Sequence, residues 1–181
     1  MNKFFLTLLI VISFGAINKP EKVIARQGQV SFFSYTSVEN IKAENNQVLS
    51  IIDLKKRTIA VSMLMNTFIF EKALMKGHFN ESYVESDIYP KATFEGEILD
   101  FNPEQEGEQT RMIKGVFVMH GVSKELEIKT KIKNDNGSYI LSGTFDTLVK
   151  DYNIIIPPLL AGNIAKSITI NFRFEYQPYE S

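Results

Sequence analysis

The stretch HFNESYVESDIYPKATFEG, His78 to Gly96, gathers side chains that can do chemistry. It holds one of the two histidines, with Glu81, Glu85 and Asp87 close behind; the other, His120, stands three residues before Ser123. An imidazole oriented by a carboxylate is the basis of general acid–base catalysis near neutral pH. The same groups can also bind metals. Their spacing argues against both uses. His78, Glu81, Glu85 and Asp87 match no zinc or calcium pattern, since there is no H-E-x-x-H and no EF-hand loop. No G-x-S-x-G supplies a nucleophile, and Ser123 lies too near His120 in the chain to be a recognisable triad member. The chain has no cysteine. That excludes thiolate catalysis, Cys-based zinc sites, disulfides, c-type haem attachment and a lipoprotein anchor. The sequence therefore predicts no catalytic residue, no metal ligand, no cofactor and no enzyme.

These polar residues have an architectural reading instead. Phe70 to Phe79 carries apolar residues at 70, 73, 74 and 79, the spacing of a short helix, with Gly77 as its stop. Asn80, Glu81 and Ser82 then satisfy the backbone groups that a helix end leaves open. Tyr89-Pro90 holds the chain extended before the strand at Ala92, where a proline removes no ladder bond. His120-Gly121 falls between two strands. Gly121 adopts backbone angles that other residues avoid, and the adjacent imidazole caps exposed backbone groups.

The elements that must position these residues are strands. Glu125 to Lys133 and Ser167 to Tyr176 alternate with period two, one face apolar and the other polar, as in an antiparallel sheet with one wet face. Asn136-Gly137 predicts a type I′ hairpin leading into Tyr139–Phe145. Further strands are expected near Val30–Tyr35, Ile41–Ala43, Gln47–Asp53, Arg57–Leu64, Ala92–Leu99 and Arg111–Met119. Turns are expected at Asn45-Asn46 and Lys55-Lys56. The acidic run Asn102 to Gln109 reads as a solvent loop. Asp151-Tyr152-Asn153 leads into an apolar strand and a Pro157-Pro158 turn, after which Leu159, Leu160 and Ile164 either flank a pore mouth or pack on a barrel end. Eight or more short strands without alternating helices predict an all-β antiparallel barrel or sandwich with one helical excursion.

An eight-stranded barrel is filled by its own side chains or holds one slender ligand. Its expected inward positions are almost all apolar, and the chain has 14 Phe and 7 Tyr but no Trp. The candidate cavity-lining residues are Phe79, Tyr83, Phe94, Ile98, Phe117, Met119, Phe145, Ile168, Ile170 and Phe172. Such walls suit a hydrocarbon tail, each buried CH₂ contributing about 0.8 kcal/mol. Alternation alone favours a filled core over a cavity.

The N-terminus, MNKFFLTLLIVISFGAINKPEK, reads as a secretory signal. Lys3 is its basic start, Phe4 to Phe14 its apolar run, and Ser13-Phe14-Gly15 its cleavage site. The run is too short to span a bilayer, which takes ~20 apolar residues; the competing reading is a buried first strand or helix. Removing residues 1–15 also removes Lys3. The 20 basic residues become 19 against 21 acidic ones, a net charge of −2. So small a charge exerts no strong pull on nucleic acid or anionic membranes, and no later stretch is apolar enough for a membrane span.

HFNESYVESDIYPKATFEGEI, then GVFVMHGVSKELEI, and later DYNIIIP with an alternating last strand, resemble the YceI-like lipid/polyisoprenoid-binding family over about Gln29 to Tyr176. Tyr89-Pro90-Lys91-Ala92-Thr93-Phe94 is similar to the family's (Y/F)P.A.F pattern. His120 to Lys124 is similar to its HGVTKP pattern, with Ser123 for Thr and Glu125 for Pro. The resemblance implies an eight-stranded lipocalin-like barrel over residues 22–177, exported to the periplasm. It would hold a long-chain lipid, whether isoprenoid, quinone or fatty acid, in an apolar pore. It shifts the balance from filled core to cavity. A homodimer stays open. Two other readings remain: a ligand-free exported structural or stress-related module with a protein partner, and a hydrolase or isomerase acting on a lipid. The last requires His78 or His120 to face the lumen beside a carboxylate.

Overall fold

Period-two alternation produces long strands that join into one sheet closed on itself. The computed structural model describes residues 20–38, 40–158 and 162–179. The expected leader, residues 1–15, lies outside the described residues, as do Leu159 and Leu160. The strands are β1 (Lys22–Tyr35), β2 (Asn40–Asp53), β3 (Thr58–Leu64), β4 (Ile69–Phe70), β5 (Lys91–Ile98), β6 (Gly107–Met119), β7 (Val122–Asp135), β8 (Ser138–Leu148) and β9 (Ser167–Pro178). All pairings are antiparallel, and β1 pairs with both β9 and β2. Eight strands thereby close a barrel, while the two-residue β4 adds to β2 at Ala43 and Glu44.

Because successive strands run in opposite directions, the connections fall at two ends. One end carries the short connections after β2, β5 and β7 together with the first and last described residues. The other carries the β1–β2 turn, residues 65–90, the His120-Gly121 turn and residues 149–166. At the first end, Asn136 (φ 51°) and Gly137 (φ 86°) make the expected two-residue hairpin turn, with Asp135 opposite Ser138.

Four sequence expectations are corrected. There is no turn at Asn45-Asn46: β2 runs through as one strand. Asn45 is fully buried, its Nδ2 donates to the Leu64 carbonyl at 3.0 Å, and its Oδ1 accepts from the Gln47 amide at 2.9 Å. A turn-prone side chain is used here as a tertiary clamp across β2 and β3. The run Asn102 to Gln109 is a solvent-exposed loop only as far as Glu106, because β6 begins at Gly107. Gln109 is buried in β6, and its amide holds the Asn102 backbone at both N–H and C=O. Gly77 does not end the helix: α1 (Ala73–His78) continues into a five-residue π-type turn, Phe79–Tyr83. The chain is released only near Glu85, which has φ 45°. Ile154–Ile156 is not a strand. A 3₁₀ turn over Val149–Tyr152 is followed by Asn153 at φ 55°, and the chain beyond it is irregular.

β7 and β8 pair only from Thr130–Gly143 downward, so the wall parts above that level. Tyr152, fully buried, lies beside this seam. Its ring meets Phe117 edge-on at 5.6 Å, and its hydroxyl accepts from Thr147 at 3.3 Å. The barrel's lower interior is packed. Ile98, Ile132 and Leu141 are fully buried, and Tyr176 shares a 2.7 Å hydrogen bond with Ser50.

Candidate functional site

β5 and β6 meet at a glycine pair beneath the Phe94 ring. Gly96 and Gly115 face each other across these strands, and a Cβ on Gly115 would lie 2.3 Å from the Glu95 carbonyl and 2.7 Å from the Phe94 ring. Two absent side chains thus let the strands approach closely and give Phe94 room to lie over them. Phe117 and Met119 extend from β6 on the same face, and Phe172, Ile170 and Ile168 extend from β9. Phe145 on β8 packs beside Phe172, their centroids 6.4 Å apart.

Between these walls is a cavity open at the end that carries residues 65–90 and 149–166. The centre of a water-sized sphere can occupy about 230 Å³ of it. That is roughly fifteen to twenty times the space one water needs. Its floor is formed by Ile113, Ile128, Leu141 and Phe174. Of the ten residues expected to line it, the structure places nine on its wall: Phe79, Tyr83, Phe94, Phe117, Met119, Phe145, Ile168, Ile170 and Phe172. Ile98 is the exception. It ends β5 at the level where the barrel is filled, and it is fully buried in the core along with Phe101 of the following loop. Period-two alternation gives the inward face but not the depth at which the interior closes.

The mouth is aromatic. Phe79, in the π-type turn, packs on Phe32, Phe68 and Phe70 with ring centroids 5.1 to 5.6 Å apart. The sequence reading missed Phe32, Phe68 and Phe70. Phe32-Phe33 is a doublet in which alternation cannot say which ring points inward. Phe68 and Phe70 sit outside any long alternating run. Phe33 faces outward instead, stacked on Tyr35 and capped by Lys42. Ile154 and Ile156 also reach the cavity from the irregular segment after Asn153.

Few polar groups line the cavity, and these include His78, Tyr83, Ser34, Thr147 and Asn163. Ser34 is used by the fold, its Oγ accepting from the Ala165 amide at 2.8 Å. Among the described residues, neither the His78 imidazole nor the Tyr83 hydroxyl has a hydrogen-bond partner within the protein. Burial raises the Tyr83 pKa above the usual phenol value, which keeps the hydroxyl protonated and able to donate.

His120 serves the frame. Its Nδ1 lies 2.8 Å from the Tyr152 carbonyl, which can only accept, so Nδ1 carries the hydrogen. Its Nε2 lies 2.8 Å from Glu85 Oε2. Tyr89 meets the ring edge-on at 4.6 Å. His120 (φ 51°) and Gly121 (φ 72°) form the whole β6–β7 turn. This side chain thus ties three segments of the open end together, including Tyr152 at the β7–β8 seam. A carboxylate stands beside His120, but His120 does not line the cavity; His78 lines the cavity but has no ion-pair partner among the described residues. Neither imidazole meets the requirement for acid–base chemistry on a bound lipid. No group of three or more His, Asp or Glu among the described residues could hold a metal ion. Asn80 Nδ2 caps the Lys76 carbonyl at 2.9 Å, as expected of a helix end, whereas Glu81 and Ser82 are exposed.

Comparison with known proteins completes the description. The family model for the YceI-like domain matches residues 22–176. No curated protein matches the chain by sequence. Among solved structures, a polyisoprenoid-binding domain from Saccharophagus degradans, implicated in plant cell wall breakdown, superposes with a TM-score of 0.75 at 12% identity. It covers 89% of this chain and 100% of its own. Burkholderia cenocepacia BcnA gives 0.68 at 13% identity, covering 83% and 96%. A Campylobacter jejuni YCEI protein gives 0.58 at 15%, covering 81% and 90%. At these identities the likeness is one of fold.

Proposed function

We propose that this chain, which belongs to the YceI-like family, binds one long apolar molecule, isoprenoid-like or acyl, inside its barrel and sequesters or carries it. The observation that carries this reading is the cavity itself, open at one end and walled almost entirely by Phe, Ile, Val and Met side chains. Burial of the tail supplies affinity at about 0.8 kcal/mol per CH₂, without any charged contact. The partnerless polar atoms of His78 and Tyr83 fit a head group that accepts a hydrogen bond. The polyisoprenoid-binding relative supports this choice of ligand class. The reading is one of binding rather than catalysis; among the described residues, it is supported by the lack of an imidazole–carboxylate pair in the cavity wall.

Export to the periplasm belongs to the same reading and rests on the apolar run Phe4 to Phe14 behind Lys3. The intact mass of protein recovered from the producing cell tests it: loss of residues 1–15 is expected, and a retained leader refutes it.

Native mass spectrometry of the purified protein, with analysis of its organic extract, tests the binding reading. A lipid at one per chain is expected. Protein that carries none, and takes up neither a polyprenyl nor a long acyl chain when offered them, ends the proposal.

A further inference from the structure

Large apolar side chains exposed to solvent are unevenly distributed over this barrel. Tyr35, Val38, Ile69, Leu74, Ile88 and Ile155 are exposed by 60% (Ile69) to 81% (Ile155), and all six lie at the end where the cavity opens. At the opposite end, Leu99 and Tyr179 reach only 37% and 39%. The six come from the β1–β2 turn, the segment between β3 and β5, and the segment after β8, so they sit on separate connections around the mouth. Helix α1 buries none of its residues fully and turns Leu74 outward. Folding gives no reason for this placement, since these side chains contribute little to the core. A gathering of exposed apolar side chains at one end, around a cavity mouth, points to a binding face.

We propose that this rim docks on the surface of a lipid bilayer, with the barrel mouth against the membrane. This rests on the reading of the cavity as a lipid site. The rim surrounds that mouth. A long apolar ligand is dissolved in a bilayer rather than in water, and a mouth seated among lipids lets it pass without exposing its tail. Charge favours a lipid surface entered by apolar side chains rather than one held by charge. Residues 65–90 and 149–166 carry Lys72, Lys76, Lys150 and Lys166 against Glu71, Glu81, Glu85, Asp87 and Asp151, a net charge of −1 that gives anionic lipid no hold. The side chains would reach the headgroup boundary as those of interfacial proteins do, with lysine ammonium groups directed to water.

Flotation with vesicles of phosphatidylcholine alone tests this, using the protein in the form its producing cell leaves it. The wild type is expected to float. The triple variant Val38→Ser, Leu74→Gln, Ile155→Ser should partition about tenfold less or weaker still. None of the three lines the cavity, so native mass spectrometry should find its bound lipid unchanged. Leu99→Gln, at the other end, should float as the wild type does. Equal flotation of the triple variant and the wild type overturns the proposal. So does binding that appears only when anionic lipid is added. So does a wild type that stays in solution as a dimer which the triple variant converts to a monomer, since the rim would then cover a second copy. Protein that floats through the rim but carries no lipid would uphold the docking face while removing the carrier reading, so the two ideas fail separately.

Discussion

At one end of the barrel, buried polar side chains hold the connections; at the other, a cluster of phenylalanine rings joins the hydrogen bonds of Ser34, Asn45 and His120. Asn134 donates to the Pro103 and Gln105 carbonyls at 3.0 and 3.3 Å and accepts from the Gly137 amide at 2.9 Å. The Tyr139 hydroxyl donates to the Pro103 carbonyl at 2.8 Å, and Gln109 clamps Asn102. Hydrogen bonds of this kind fix one arrangement, because each lost partner strands a buried group. At the open end, Phe32, Phe68, Phe70 and Phe79 pack on one another. Such contacts lack direction and tolerate rearrangement around a guest. The difference teaches that polar clamping is denser at the closed end, while the walls that can receive a guest are apolar.

The comparison can be broken most sharply at Asn134. Asn134→Ala removes three hydrogen bonds, although Pro103 keeps its bond from Tyr139, and should lower unfolding free energy by about 2 kcal/mol. Bound lipid per folded chain should stay the same. Urea titration with native mass spectrometry reads both; lost lipid with unchanged stability would reverse the comparison. Phe79→Ala is the counterpart. Phe79 is half-buried, so the stability cost should be only about 1–2 kcal/mol, below that of a fully buried Phe. Lipid retention should fall by about tenfold.

A smaller effect is expected from Tyr176→Phe, which leaves Ser50 Oγ buried without its partner and costs about 1 kcal/mol. Its pH dependence sharpens the contrast. Burial pushes the Tyr176 hydroxyl far above the usual phenol value, and it raises Tyr139 and Tyr152 as well. Above about pH 10 the unfolded chain loses these protons before the folded one does. The stability they contribute is therefore fully present below about pH 10 and is lost as pH rises through the folded values. Unfolding curves between pH 8 and 12 should show that fall, and Tyr176→Phe should make it shallower. The smallest effect is expected from Glu85→Gln at the His120 clasp. The carboxylate is partly exposed, so the loss should be about 0.5 kcal/mol. Faster hydrogen exchange should be confined to residues 79–90 and the His120-Gly121 turn. Faster exchange at the β7–β8 hairpin around Asn136 would contradict the independence of the two ends.

Much of the wall was legible in the chain. Period-two alternation placed β5 to β9, Asn136-Gly137 marked its hairpin, and nine of the ten expected lining residues lie on the cavity wall. Asn45, Gln109 and Phe32 were not legible. Asn45 and Gln109 look like turn or solvent residues, because local composition cannot reveal a buried partner that arrives from another strand. Phe32 and Phe33 are equally apolar, and only the pairing of β1 with β2 and β9 decides which one faces in.

By itself the sequence determined what each strand offers to each side, because alternation is a property of neighbouring residues and the pleat converts it directly into two faces. It also determined that no cysteine, nucleophile motif or known metal spacing is available. Only the tertiary structure decided where the interior is filled and where it stays open. That depends on the level at which strands of different hairpins meet. Gly96 beside Gly115, the parting of β7 from β8 above Thr130, and the clamp of His120 on Glu85 and Tyr152 all join residues distant in the chain. Their contact is set by closure of the barrel and cannot be read from any one stretch of it.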